Sequence, residues 1–171
     1  MKKLKKLLLL LIMITVTLSL TGCGSKNVEG ELTDVMERVY EKMYSSVKED
    51  ERPMLTTVNV LEKNEDMTDE DVDAAVEYAI GTKDIEYKEI YESKPMIGSI
   101  AYSVVLVRME ENANIEDAKT KIKENVNPRK WICVGVEKED VIIKNKGNLI
   151  IVIIVENAST RTKIDEAFNN L

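Results

Sequence analysis

Leu149-Ile150-Ile151-Val152-Ile153-Ile154-Val155 is an unbroken run of seven aliphatic residues. A run this short, rich in β-branched residues, reads as a strand. Being apolar on both faces, it belongs in the middle of a sheet. The four residues before it, Asn145-Lys146-Gly147-Asn148, read as a turn, because glycine reaches positive φ without a Cβ clash. Asp140 to Lys144 then becomes its hairpin partner. Ser99 to Met109 is also apolar on both faces and predicts a second central strand. Ile85, Tyr87 and Tyr91 alternate with charged residues, the pattern of a half-exposed strand, and Lys94-Pro95-Met96-Ile97-Gly98 joins the two. Leu55 to Leu61, rich in Thr and Val, reads as a short strand. Trp131 to Val136 fits a strand or a packed loop equally well.

Helical spacing marks the remaining segments. Leu32, Val35, Met36, Val39, Met43 and Val47 form an apolar stripe that predicts a helix over about 32–48. Thr68 with Asp71 three residues later reads as a capping box for a helix over about 69–78, closed near Gly81. Ile115, Ala118, Ile122 and Val126 predict a helix over about 115–125, stopped by Pro128. Ile164, Ala167, Phe168 and Leu171 predict a last one over about 159–169. The expected architecture is α+β. The helices are expected on one face of a mostly antiparallel sheet, in a ββα-ββα arrangement preceded by an N-terminal helix.

The first 22 residues have a different composition. Lys2, Lys3, Lys5 and Lys6 precede the apolar run Leu7–Leu20, with no acidic residue. A basic start followed by 14 apolar or hydroxyl residues suits an export signal, since a membrane span needs about 20 apolar residues. Leu20-Thr21-Gly22-Cys23 follows. It resembles the lipobox of bacterial lipoproteins: an aliphatic residue, a small or polar one, Gly or Ala, then Cys. That resemblance implies a diacylglyceryl group on the Cys23 sulfur and cleavage before it by a peptidase that reads Leu20, Thr21 and Gly22. Two acyl chains make a stable anchor where one is marginal. The expected organisation is a signal peptide over 1–22, a lipidated N-terminus and short linker over 23–31, and one α+β domain over 32–171. The expected location is the outer face of the bacterial cytoplasmic membrane. The helix–hairpin–helix ending, most clearly Asp140 to Phe168, also resembles lipoproteins grouped as domain of unknown function 4358, over about Val72 to Leu171. That resemblance implies no activity.

Cleavage leaves 149 of the 171 residues and takes four of the 24 basic ones, so 20 bases face 31 acids, a net of −11. Such a charge repels phosphate backbones and anionic lipid heads, which argues against a nucleic-acid partner. The chain contains no histidine. Cys133, left without a pairing partner, lacks the usual base for a nucleophilic thiol and reads as a core residue. Asp69, Asp71, Asp73 and Glu77 occupy the first, third, fifth and ninth places of a calcium loop. Ala74 and Ile80 stand where that loop needs Gly and Glu, so a helix N-terminus explains the acids better, and no metal or cofactor is expected. Ser99 or Ser103 with a lysine would make a Ser–Lys dyad, but no spacing signature supports one.

Tyr87 and Tyr91, read as sharing a strand face, and Arg129 to Trp131 are the expected interaction surface. The partners expected are the bilayer, through acylated Cys23, and another envelope protein. The leading expectation is a non-enzymatic module that binds a protein or envelope component. A small-ligand-binding lipoprotein serving a transporter comes second, although 149 residues are few for two lobes. A histidine-free envelope hydrolase comes third.

Overall fold

The computed structural model describes residues 27–45, 47–48 and 52–171. The export signal, Leu20 to Cys23 and the start of the linker lie outside the described residues. Among the described residues four α-helices, α1 (Leu32–Met43), α2 (Asp69–Ile80), α3 (Ile115–Asn125) and α4 (Ala158–Asn169), accompany five strands. The strands are β1 (Leu55–Asn59), β2 (Tyr87–Pro95), β3 (Tyr102–Met109), β4 (Ile142–Lys146) and β5 (Leu149–Val155). They form one antiparallel sheet in the order β1-β2-β3-β5-β4, so the class is α+β. The two runs apolar on both faces, β3 and β5, pair with each other near the middle, as their composition requires.

Local chemistry sets the element ends. The Thr68 backbone N–H donates to Asp71 Oδ2 at 2.7 Å and the Asp71 N–H donates back to Thr68 Oγ1 at 3.2 Å, completing the capping box of α2. The bond from the Thr68 backbone, and second the Thr68 hydroxyl's own donation to Asp71 Oδ2 at 2.7 Å, hold the Asp71 carboxyl below its ordinary value. Gly81 ends α2 at φ +85°, and a Cβ there would lie 2.3 Å from the Asn125 and Val126 backbone. Only glycine satisfies both demands. Gly147 and Asn148 make a two-residue turn between β4 and β5, with Gly147 at φ +56°.

The helices occupy both faces of the sheet, which corrects the single-face expectation. Val104 and Leu106 of β3 and Ile151 and Ile153 of β5 pack with α1 and α4. Their neighbours Val105, Val107, Ile150, Val152 and Ile154 pack with α2 and α3. Successive side chains on a strand point to opposite faces, so two central strands apolar throughout create two apolar faces, and each needs a cover. The chain order ββα-ββα holds over 87–169, but α3 goes to one face and α4 to the other.

Three further expectations change. Val28, assigned to the linker, is buried in the first core beside α1. Tyr87 and Tyr91 do not share a face. A β-bulge between Tyr87 and Glu89 shifts the register, so Tyr87 packs on the α2/α3 side and Tyr91 on the α1/α4 side. Trp131 to Val136 is a loop, and Cys133 within it is exposed, with φ +64°. The Val136 N–H donates to the Pro128 carbonyl at 2.8 Å and closes the loop, so Ile132 and Cys133 face solvent.

Candidate interaction surface

The most unusual chemistry of the core lies at the root of this loop. Lys130 enters the α2/α3 side of the sheet, and its side chain and that of Glu92 are each 3 % exposed. Glu92 is on β2, two residues beyond the buried Ile90 and on the same face. Lys130 Nζ lies 3.0 Å from Glu92 Oε1 and 3.2 Å from Ser103 Oγ, and it donates to the Tyr78 carbonyl at 3.2 Å near the C-terminus of α2. The Ser103 hydroxyl donates to Glu92 Oε1 at 2.6 Å. Lys94 adds a second cation 3.3 Å from Glu92 Oε2. The amine also sits 4.7 Å from the Tyr78 ring centroid and 5.5 Å from that of Trp131.

Burial alone would raise the Glu92 pKa. The Lys130 charge and the bonds from Ser103 and Lys130 outweigh it and hold the carboxyl below its ordinary value. Burial lowers the Lys130 pKa against the pull of Glu92. The result is an ion pair whose groups find partners inside the protein, joining the loop to α2, β2 and β3 at one point.

Of the two serines weighed as partners for a lysine, the fold brings Ser103 to Lys130 and leaves Ser99 exposed in the β2–β3 loop. Ser103 is wholly buried, and its proton is already donated to Glu92. A nucleophile needs a free base and a path to substrate. This serine instead ties two strands to the loop.

Above that root the loop is open. Ile132 is 84 % exposed, and the hydroxyl of half-exposed Tyr78 donates to the Lys130 carbonyl two residues before it. Trp131 is half-buried against the α2/α3 core. Arg129 is exposed and forms an ion pair with Glu137. Of the four residues expected to form a surface, the structure therefore keeps Arg129 and Trp131 together. Tyr87 and Tyr91 lie on opposite sides of the sheet. Sequence reasoning missed Glu92, although its position on the face of Ile90 was a usable signal.

A second exposed apolar group lies at the same end of the sheet. Leu55 pairs with Pro95, which sets Met54 near Met96, and Ile97 and Ile100 follow in the β2–β3 loop; all four flanking side chains are exposed. Next to it is a cleft of about 350 Å³, lined by Met43, Tyr44, Ile100, Tyr102 and Lys163 among others. The acids weighed for calcium serve elsewhere. Asp69 pairs with Lys63, Asp73 with Lys83, and Asp71 belongs to the capping box. Among the described residues no group of three metal-ligating side chains converges, and no helix is long and apolar enough to cross a membrane.

Comparison with known protein families finds no match, and neither do comparisons with curated proteins and with solved structures.

Proposed function

We propose that this chain is a lipid-anchored extracytoplasmic protein that binds another envelope protein without catalysing a reaction on it. The observation that carries the binding part is the loop over 128–136. Its root is held by the buried Lys130–Glu92 pair, yet it presents Ile132 at 84 % exposure. A loop pinned at its base has already given up much of its freedom, so docking on it costs little further ordering. The anchoring part rests on the lipobox Leu20-Thr21-Gly22-Cys23 and the basic, apolar segment before it.

Both parts are testable in the producing cell. A photo-crosslinking residue at position 132 should give a discrete adduct, and one at exposed Lys123 on α3 should not. No adduct from position 132 under conditions that label the protein itself would remove the binding claim. Cys23→Ala should abolish acylation and membrane retention while the domain still folds. Acyl chains detected on that variant would refute the anchor.

A second reading, binding of a small ligand for a transporter, is favoured by one observation. The 350 Å³ cleft falls in the range of small-molecule sites, and the buried Tyr44 hydroxyl beside it has no hydrogen-bond partner among the described residues. A reproducible rise in melting temperature with a metabolite, lost in Tyr44→Phe, would favour this reading over the first.

A further inference from the structure

The described chain does not begin at a free end. The Asn148 N–H donates to Asn27 Oδ1 at 3.1 Å, and a Cβ on Gly147 would lie 2.4 Å from that same oxygen, so the glycine turn is what lets the segment approach. Arg108, near the end of β3, donates to the Val28 carbonyl at 2.8 Å and to the Gly30 carbonyl at 2.6 Å. Its Nε pairs with Glu89 at 3.1 Å, and its side chain is only 12 % exposed, so the guanidinium is held in place from both sides. Arg38 of α1 adds a bond to the Glu29 carbonyl at 2.9 Å. Residues 27–30 are thus strapped onto one end of the sheet, where β3 ends and the β4–β5 turn lies.

This strap sets the reach of the anchor. From Cys23 to Asn27 there are four residues, which span about 14 Å at most; without the strap the reach would run to Leu32, about 30 Å. The opposite end of the sheet carries Met96, Ile97, Ile100 and, rooted through Ser103 and Glu92, the Ile132 loop. Along β3, from Met109 to Tyr102, that end is ~23 Å farther from the strap. Exposed acids stand both on α2 (Asp69, Glu70, Asp71 and Glu77) and beside the strap (Glu29, Glu110 and Glu111), so charge does not choose between the two ends, and the short reach from Cys23 to Asn27 is what brings the strapped end nearest the bilayer.

We infer that the strap fixes the pose of the domain on the membrane, with the β4–β5 turn toward the bilayer and both apolar loops directed away from it. This inference rests on the anchor proposed above. It assigns the occupant of the apolar loops. They meet a protein that stands farther from the membrane than this domain does, and they do not dip into the lipid that holds the anchor.

The test uses full-length lipidated protein in phosphatidylcholine–phosphatidylglycerol vesicles, with Cys133→Ser removing the native reactive thiol. A donor dye is placed on Glu111→Cys, beside the strapped end, or on Ile97→Cys, and an acceptor lipid is placed in the bilayer. Energy transfer should be several-fold stronger from position 111. Asn27→Ala combined with Arg108→Lys should shrink that difference when measured below the melting temperature of the variant, and Gly147→Ala should act in the same direction. Vesicles that float with bound protein but show equal transfer from the two positions, or stronger transfer from 97, would overturn the pose and leave the anchor standing. Protein that fails to float with the vesicles would overturn the anchor and the pose together.

Discussion

On the side of the sheet covered by α1 and α4, the buried core is apolar apart from hydroxyls, among them Tyr102 donating to Tyr40 at 3.1 Å, and an ion pair there, Arg108–Glu89, stays partly exposed at the end of the sheet. On the side covered by α2 and α3, a lysine and a glutamate are buried together. Both sides solve the same problem, the cover of β3 and β5, at very different electrostatic cost. A buried hydroxyl asks for one neutral partner. A buried ion pair brings a desolvation cost of several kcal/mol per ion and needs each lone pair and proton matched. Such a pair is a poor device for stability and a good one for location, since only one arrangement of loop, helix and strands satisfies it. The side that carries the ion pair is also the side that carries the pinned, exposed loop.

Removing one member of the pair gives the largest contrast. Lys130→Ala leaves Glu92 buried without its main cation and should cost about 3–5 kcal/mol in denaturant unfolding. Lys130→Met with Glu92→Gln should recover most of that loss. If the single variant is as stable as the parent, the pair does not organise this side.

Alkaline titration should separate the two sides by sign. Burial, partly opposed by the hydrogen bond from Tyr102, pushes the Tyr40 pKa up to about 12 from 10. The folded form then holds its proton longer, so this stability is fully present below pH 10 and is lost as pH rises toward 12, about 2–3 kcal/mol in all. Tyr102 is shifted in the same direction by burial. Lys130 is shifted downward, so between its folded pKa and its ordinary value of 10.5 the unfolded chain holds more protons and stability rises with pH. Unfolding free energies from pH 8 to 12 should therefore lose part of their fall in Tyr40→Phe and their rise in Lys130→Met. An unchanged fall in Tyr40→Phe would contradict the burial of that hydroxyl.

The smallest effect concerns Cys133, where no change in stability is involved. In the native protein it should react with a maleimide at the rate of an exposed thiol, read by mass spectrometry. Protection until unfolding would return it to the core.

Much of the fold was legible because its signals are local. Thr68 with Asp71, Gly81, Gly147, and the stripes of α1, α3 and α4 each act within a few residues, where capping and periodicity operate. The site was less legible because its contacts are long-range. Lys130 and Glu92 are 38 positions apart, and Lys130 and Ser103 are 27 apart. Tyr87 and Tyr91 misled because a single bulge, set by pairing with β3, reverses the side a residue faces. Cys133 misled because Ile132-Cys133-Val134 has strand composition, but the loop closure between Pro128 and Val136 turns it outward.

By itself, the order of residues determined the elements and the class, because helix stripes, caps and strand runs are written in nearest-neighbour chemistry. It also contained the answer to the layering, in the two-sided apolar runs of β3 and β5, since two apolar faces require two covers. Only the tertiary structure decided which helix took which face, which lysine met Glu92, and where Val28 was buried. Those outcomes depend on packing and charge pairing between segments far apart in the chain, where burial leaves one arrangement with its polar groups matched.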